Sequence, residues 1–330
     1  MVDKVLGAFL IGLVAVVFLA PMPRPVKADG YVIIAMVASV FFVRDRWLQM
    51  FLGATLLSYL IAPRTAVSAR TMVTISISAL LIENLIWVKI RTLILAITGV
   101  MIIAVVYASF YTAKLGIPMF VPLDNPVLAG PMYAIAAGLA WTLSPTLGII
   151  LAGAAIMSRS TTAMICLLAV FSPLLWDNVH RGWIWAIQGI LALLFVRFVD
   201  FSHLFDERLQ MIATTADLGR AEPFGYGLGS FIQIMPKTLG FVLDGKLWGH
   251  AHNDLLQHFM ESGWTAFIVG VCFIFWHLSR YGKWERDNRM YYGAMTASIV
   301  FVLLGFPFHF APSAIMIAIV YSIYRRCVYA

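Results

Sequence analysis

Most of the side chains in this sequence that could do chemistry lie in one polar stretch, residues 200–262. The stretch contains Arg208, three glycines spaced two apart from Gly225 to Gly229, and the run His250-Ala251-His252-Asn253-Asp254. An imidazole has an unperturbed pKa of about 6.5 and can therefore accept a proton at neutral pH. A positioned histidine of this kind is typical of a general base, which contributes about 10²–10⁴ in rate. His252 is the first candidate for that role.

Two other interpretations of the histidine run stay open. In the first, His252 is an interfacial residue that makes ordinary hydrogen bonds. In the second, the region binds a metal, because Asp254, His258 and Glu261 share one face of a helix at i, i+4 and i+7. No short zinc signature is present and His252 is not on that face, so Glu261 is better explained as a cap or anchor of the helix. We therefore predict no metal and no other cofactor.

A further candidate lies outside the polar stretch. Arg159 is in the run Ser158-Arg159-Ser160, between two apolar segments. An arginine so close to hydrocarbon is costly and usually has a partner or a function; the alternative is a side chain that extends to the lipid headgroups. For Arg208 the alternative is a solvated, salt-bridged helix face beside Asp206 and Glu207.

The composition predicts a membrane protein. Of the 330 residues, 62% are hydrophobic and 12% are charged, whereas soluble domains are about 25% charged. No segment is polar enough to form a soluble domain, so residues 1–330 are interpreted as one polytopic membrane domain. The net charge of +7 is explained by basic residues beside membrane spans rather than by nucleic-acid binding. The three cysteines lie far apart and predict neither disulfides nor a zinc site.

The elements that position these side chains are predicted to be membrane-spanning helices. A span needs about 20 apolar residues, and about twelve runs are candidates: 5–22, 30–43, 47–62, 70–88, 92–113, 127–144, 146–157, 161–176, 182–199, 263–279, 291–310 and 312–324. The first is interpreted as an uncleaved span, and Glu83 and Asn84 in the fourth receive no role. With cytoplasmic termini, Lys and Arg are about twice as frequent in the cytoplasmic loops as in the short outer loops, as the positive-inside rule expects. Residues 200–262 then form a large outer loop.

Three local elements are predicted within this loop. Helical spacing over Phe205–Leu218 aligns four apolar residues in one stripe, Phe205, Leu209, Ile212 and Ala216, which favours a helix along the membrane surface. The glycine run after Pro223 predicts a flexible or tightly turned loop; it resembles a dinucleotide fingerprint only superficially, because no βαβ unit surrounds it. A further helix is predicted to begin near His252 and Asn253, where free N–H groups favour anions.

Taken in order, these pieces resemble the O-antigen ligase and Wzy-type polymerase superfamily of membrane glycosyltransferases. Ser158-Arg159 at a turn between spans is similar to the family's Ser-Arg motif. Arg208 comes before a Pro-x-Gly-x-Gly-x-Gly-Ser-Phe stretch that runs from Pro223 to Phe231. His252-Asn253 comes last, ahead of the next span.

The end of the pattern departs slightly from one branch of the family. The protein-glycosylating branch has His-Asn, nine residues and then Gly-x-x-Gly. Here nine residues separate His252-Asn253 from Gly263, but Ala266 replaces the last glycine. Both residues are small and suit close helix packing. The similar stretch covers residues 158–266.

The resemblance implies an all-α, GT-C-like membrane fold and an inverting, metal-independent glycosyltransferase of the bacterial inner membrane, with a periplasmic active site. The donor would be a glycan on a polyprenyl pyrophosphate, and the acceptor a hydroxyl of lipid A-core or of another glycan. The partners would include membrane lipid but no nucleic acid. Arg159 and Arg208 would bind the pyrophosphate, and His252 would take the proton. The supporting residues would be His250, Asn253, Gly227, Gly229 and Glu261.

Several functional alternatives remain. Ligase-type transfer onto a lipid-linked core sugar is favoured, followed by a Wzy-type polymerase and then by protein O-glycosylation. A transporter or flippase of lipid-linked glycans belongs to a different class. Transporters usually carry internal repeats with interrupted spans in matching halves, and this sequence has no such symmetry.

Overall fold

The computed structural model describes residues 43–61, 75, 79–80, 82–85, 87–115, 126–178, 201–239, 250–280 and 288–329. The predicted spans at 5–22 and 182–199, most of 30–43 and part of 70–88 therefore lie outside the described residues. Within the described residues the regular structure is helical and no strand occurs. The all-α prediction is thus confirmed for this part of the chain, while the number of spans stays a prediction.

Ten α-helices and one short 3-10 helix in the described part of the chain form the framework of the site. They are α1 Arg46–Ile61, α2 Ile90–Leu115, α3 Pro126–Trp141, α4 Pro145–Met157, α5 Thr161–Asn178, α6 Phe201–Ala221, α7 Phe231–Leu239, α8 Asp254–Ser279, α9 Arg289–Leu304, the 3-10 helix Pro307–His309 and α10 Ala311–Tyr329. The predicted span 291–310 ends earlier, at Leu304, because Gly305 leaves the helical conformation and Pro307 follows.

The chain divides into two compact units. The first consists of Met1–Leu85 and Glu207–Leu278, and the second of Ile86–Asp206 and Ser279–Ala330. The histidine run and the glycine run belong to the first unit, whereas the Ser158–Ser160 turn belongs to the second.

Helix α3 is the core of the second unit. Every side chain from Leu128 to Ala140 is buried, and the helix packs against α2, α4, α5, α9 and α10. Small residues make this packing close, since a Cβ on Gly138 would overlap the Val170 side chain and one on Gly293 would overlap the Val170 carbonyl oxygen. Close approach at small residues is the usual basis of helix association in membranes, where lipid is as apolar as leucine.

The outer surface of the second unit is suited to lipid. Helix α2 exposes 53–70% of five apolar side chains, which are Leu95, Val100, Ile103, Val106 and Phe110. A soluble protein rarely exposes a continuous apolar stripe of this kind. Among the described residues, Ile90–Phe110 is long and apolar enough to cross a membrane. Asp254–Ser279 meets the same criteria of length and composition, but it is broken at Gly263. These features are typical of a membrane protein.

Helix α8 of the first unit is interrupted at Gly263, which has φ 77 and ψ −172. The chain folds back there: a Cβ on Gly270 would lie 2.7 Å from Cδ1 of Leu255, although residues fifteen apart in a straight helix are about 22 Å apart. The predicted span 263–279 therefore corresponds to the segment after the break, which is about 24 Å long. The residues before Gly263 form a separate short helix that carries the site.

The predicted helix 205–218 is confirmed but extends further, as α6. Its buried stripe is formed by Met211, Thr215 and Gly219, one position away from the predicted stripe that includes Ile212 and Ala216. The cause is at Gly219, where a Cβ would lie 2.6 Å from the Phe259 ring. The missing side chain brings α6 close to α8, and the residues on this face are buried as a result.

Candidate functional site

His252 lies in the turn that leads into α8. Its backbone is in the left-handed region, with φ 53, and the residue is half-buried. The prediction that a helix begins here is confirmed, because α8 starts at Asp254. The side chain of Asn253 is the N-cap: its Oδ1 accepts a hydrogen bond of 2.9 Å from the Leu256 amide.

The glycine run pairs with the break in α8. The Tyr226 amide donates to the Met260 carbonyl (3.0 Å), and the Gly227 amide donates to the Glu261 carbonyl (2.9 Å). In the opposite direction, the Trp264 amide donates to the Pro223 carbonyl (2.9 Å). These bonds replace the helical ones that the break removes, so the loop satisfies backbone groups that would otherwise be orphaned.

Two glycines make this close approach possible. Gly225 has φ 80 and Gly263 has φ 77, a conformation that residues with a Cβ rarely adopt. A Cβ on Gly225 would overlap the Glu261 carbonyl, and one on Gly263 would overlap the Pro223 carbonyl. The predicted tight turn is therefore confirmed. The sequence placed Gly263 at the start of the following span and did not indicate this close approach. Gly227 and Gly229 also have positive φ, 96 and 74.

Glu261 anchors a helix other than its own. It is buried, with 3% of its surface exposed, and its Oε1 accepts hydrogen bonds from the Phe231 amide (3.2 Å) and from Nε2 of Gln257 (3.1 Å). Phe231 is the first residue of α7, where a negative charge complements the helix dipole. The side chain therefore stabilises the start of a helix that precedes it by thirty residues.

The helix face considered as an alternative metal site has other contacts in the structure. The Nδ1 atom of His258 lies 3.3 Å from the Ser262 hydroxyl, and its ring stacks on Phe51 with centroids 5.0 Å apart. Across the described part of the chain, no group of three or more His, Cys, Asp and Glu side chains could hold a metal ion. That the reaction needs no metal stays a prediction, implied by the resemblance.

An apolar cluster lies beneath the histidine turn and the glycine loop. Met211 of α6, Phe231 and Met235 of α7, Ala251 of the turn and Met260 of α8 are all buried in it. Because these five residues come from α6, α7, the turn and α8, the cluster packs the four elements together. The turn at His252 therefore rests on a dry interior.

Arg159 lies in the turn between α4 and α5 and also has φ 53. The hydroxyl of Ser158 donates to the Ala155 carbonyl at 2.6 Å, and the Arg159 amide donates to the Ile156 carbonyl at 3.0 Å. These bonds satisfy the last carbonyls of α4. Ser158 is buried while Arg159 is exposed.

Ser160 completes this turn from the other side. Its hydroxyl accepts a hydrogen bond of 3.4 Å from the Ala163 amide, as an N-cap of α5. Both serines pack against Gly130 of α3, where a Cβ would overlap the Ser158 hydroxyl and approach Ser160 within 3.1 Å. The serines thus fix the turn and direct the arginine outward. No hydrogen bond or ion pair to the Arg159 guanidinium occurs within the described residues.

The structure brings most of the predicted site residues together in the first unit. They are His250, His252, Asn253, Gly227, Gly229 and Glu261. Arg159 belongs to the second unit, and Arg208 lies on α6 with its side chain outside the described residues. That both arginines act beside His252 stays a prediction.

Sequence reasoning missed Gln257. Its Oε1 accepts a hydrogen bond of 3.0 Å from the Ala251 amide, next to His252, while its Nε2 donates to Glu261. One signal was available: Gln257 lies four residues before Glu261, a spacing at which helical side chains contact each other. Helix α7 was also missed.

Residues 146–271 match the sequence profile of a family described as O-antigen ligase. The matched stretch contains the Ser158–Ser160 turn, the glycine loop and the His252 turn, and it ends within α8. No curated protein matches the chain at a significant level. The match confirms that residues 146–271 resemble the O-antigen ligase and Wzy-type superfamily, as the motifs predicted.

Proposed function

We propose that this protein is an inverting, metal-independent glycosyltransferase of the O-antigen ligase type, located in the bacterial inner membrane. It would transfer a glycan from a polyprenyl pyrophosphate carrier to an acceptor hydroxyl of lipid A-core at the periplasmic face. The similarity of residues 146–271 to O-antigen ligases supports the reaction class. The donor, the acceptor and the side of the membrane are part of the proposal.

One structural observation carries the choice of residues. Arg159 and His252, both predicted from the motifs, are the two non-glycine residues with positive φ in the described part of the chain. This conformation costs roughly 1–2 kcal/mol for a residue with a Cβ. Such strain persists where the surrounding structure imposes it, and it clusters at functional sites. A turn without a function would be more stable with glycine or asparagine at these positions.

The chemistry assigns each group one task. The imidazole of His252 would take the proton from the acceptor hydroxyl as the oxygen attacks the anomeric carbon. The bond between that carbon and the pyrophosphate oxygen breaks, and attack from the opposite side inverts the anomeric centre. Charge then develops on phosphate oxygens, which the planar guanidinium groups of Arg159 and Arg208 would bind bidentately.

The environment of the buried carboxylate fits this division of tasks. Glu261 contacts the Phe231 amide and Gln257 in the interior, so its role is to hold the loop rather than to transfer protons. A pyrophosphate is a good leaving group and needs little help from a general acid. The scheme therefore needs only one proton acceptor, in contrast to the carboxylate pair of most glycoside hydrolases.

The assay combines purified protein with a glycan on polyprenyl pyrophosphate and with separate candidate acceptors. We expect glycosylated core lipid as the product. A lengthened carrier glycan would instead indicate a Wzy-type polymerase, and a glycosylated protein would indicate an O-oligosaccharyltransferase. No transfer to any acceptor, with donor and protein shown to be intact, would contradict the proposal.

Two variants test the assigned residues in this assay. His252→Ala should lower turnover by about 100-fold or more if the imidazole is the base. Arg159→Lys should also be poorly tolerated, because an ammonium group cannot replace a bidentate fork. His309→Ala and Arg91→Lys are matched controls at exposed positions and should retain wild-type turnover. Wild-type turnover of both test variants would rule out the assigned roles.

A further inference from the structure

We propose that Gln257 is a positioning residue, which sets the backbone of the His252 turn by linking it through Glu261 to the start of α7. The inference rests on the function proposed above, because it concerns how the candidate base is held. Gln257 itself contacts no substrate in this scheme.

Three hydrogen bonds form the link. The Ala251 amide donates to Oε1 of Gln257 (3.0 Å). The Nε2 atom of Gln257 donates to Oε1 of Glu261 (3.1 Å). The Phe231 amide donates to the same carboxylate oxygen (3.2 Å). The His252 turn and the end of the glycine loop therefore share one continuous network.

Burial makes this network selective for its residue types. Ala251 and Phe231 are fully buried, and Gln257 and Glu261 are each 3% exposed. Water cannot readily replace a lost partner there, and a buried polar group without one is costly. Position 257 must accept from a backbone amide on one side and donate to a carboxylate on the other. A glutamine amide has both capacities, whereas a carboxylate only accepts.

The consequence for His252 follows from its place in the chain. The amide that Gln257 holds belongs to the residue directly before His252, whose own backbone is in the left-handed conformation. Release of the Ala251 amide would let this strained turn relax and move the imidazole. A misplacement of about 1 Å can cost roughly 100-fold in rate. The loss should appear in kcat, since the residues assigned to donor binding are unchanged.

A residue swap tests the link directly. In Gln257→Glu, two carboxyl groups face each other at the place of the 3.1 Å hydrogen bond, so they repel when both are ionised and can bond only by taking up a proton. Adding Glu261→Gln restores the three hydrogen bonds, with the middle one reversed. The new carboxylate at position 257 can accept from the Ala251 amide and from the new side-chain amide at position 261. The oxygen of that side-chain amide can in turn accept from the Phe231 amide. We expect Gln257→Glu to lower kcat by about 10- to 100-fold with an unchanged KM for the donor, and the double variant to recover most of it. The matched control is Gln233→Glu at an exposed position of α7, with wild-type kcat.

Gln257→Leu provides a second case in which no charge is buried. It also removes the acceptor of the Ala251 amide, so kcat should fall in the same direction. Wild-type kcat in Gln257→Leu would overturn the proposal. It would also be overturned if the double variant were no more active than Gln257→Glu.

A readout that needs no transferase activity separates this inference from the proposed function. Diethyl pyrocarbonate modifies neutral imidazoles, and mass spectrometry gives the rate at His252 in each protein. We expect a rate in Gln257→Glu and Gln257→Leu that differs from wild type, and a wild-type rate in the double variant. If these modification rates are found but the wild-type protein transfers no glycan, the proposed glycosyltransferase function is contradicted and the positioning role of Gln257 is supported. Equal rates in all four proteins would contradict the positioning role itself.

Discussion

The turns at Arg159 and His252 reach the same backbone conformation by different means. The Arg159 turn is built from its neighbours in sequence: Ser158 and Ser160 bond to the adjacent helix ends. The His252 turn depends on residues that are further away, because Gln257 holds the preceding amide and Glu261 connects it to α7. Both turns have φ 53 at the residue of interest.

The two turns should therefore respond differently to substitutions. A local turn survives damage elsewhere in the protein, provided that its own helices stay packed. A turn held through a hydrogen-bond network should change when any member of that network is substituted, including residues of the glycine loop. Substitutions of the residues that hold each turn should therefore lower the free energy of unfolding by different amounts, from about 3 kcal/mol downward.

Gly263→Ala should have the largest effect, on the side of His252. The new Cβ would overlap the Pro223 carbonyl and Phe224 backbone, and these atoms cannot rotate away. With the added strain at φ 77, we expect a loss of about 3 kcal/mol or more, measured by equilibrium unfolding in mixed micelles. Gly153→Ala in α4 is the control, since nothing lies within 4 Å of the new Cβ there. Equal unfolding curves for the two variants would show that the loop does not depend on the break in α8.

Gly130→Ala is the corresponding substitution beside the Arg159 turn. Its Cβ would overlap the Ser158 hydroxyl and lie 2.7 Å from the Ala163 Cβ. The hydroxyl can rotate but Ala163 cannot, so we expect a loss of about 2 kcal/mol in the same unfolding experiment. The His252 turn should be unaffected, which carbethoxylation of His252 would verify. A changed rate at His252 would break the distinction between a local and a remote support.

Sequence patterns predicted the elements that depend on neighbouring residues. Apolar runs located α2 and α5 to within a few residues, since lipid-facing and core-facing positions are both apolar in a membrane helix. The helical spacing of the apolar residues after Asn253 likewise located the start of α8. The interruption between two apolar runs at Arg159 likewise indicated a turn.

The parts that escaped prediction depend on contacts between distant residues. Gly263 was predicted to begin a span, whereas it also ends a short helix, so that the loop after Pro223 can pair with the exposed backbone. Backbone pairing of this kind has no side-chain period, and so no pattern revealed it. Glu261 was expected to anchor a helix, but its partner is the amide of Phe231. Only the fold identifies that helix as α7.

Asn253→Ala should have an intermediate effect on the His252 side. The variant loses the cap to the Leu256 amide, and we expect a cost of about 1 kcal/mol in the unfolding experiment. Asn253→Asp keeps an acceptor at the same place and should retain most of the stability. If the two variants lose equal stability, the cap is not what matters at this position.

The smallest expected effect is also the sharpest test of the shared strain, because its sign is opposite. Arg159→Gly and His252→Gly should each raise the free energy of unfolding by about 0.5 kcal/mol, since relief of roughly 1–2 kcal/mol of strain exceeds the entropy cost of glycine, about 0.5–1 kcal/mol. The same change at Arg91, in the first turn of α2, should lower stability by about 0.5 kcal/mol, because the backbone there is helical.

Glycan transfer should be lost in the two turn variants and kept in Arg91→Gly. If only one of the two glycine variants is stabilised, the backbone of the other turn is not strained. The positive φ of that turn would then need a different explanation. Stabilisation at both, with transfer abolished, is the pattern expected when a protein keeps a side chain for its chemistry at a cost in stability.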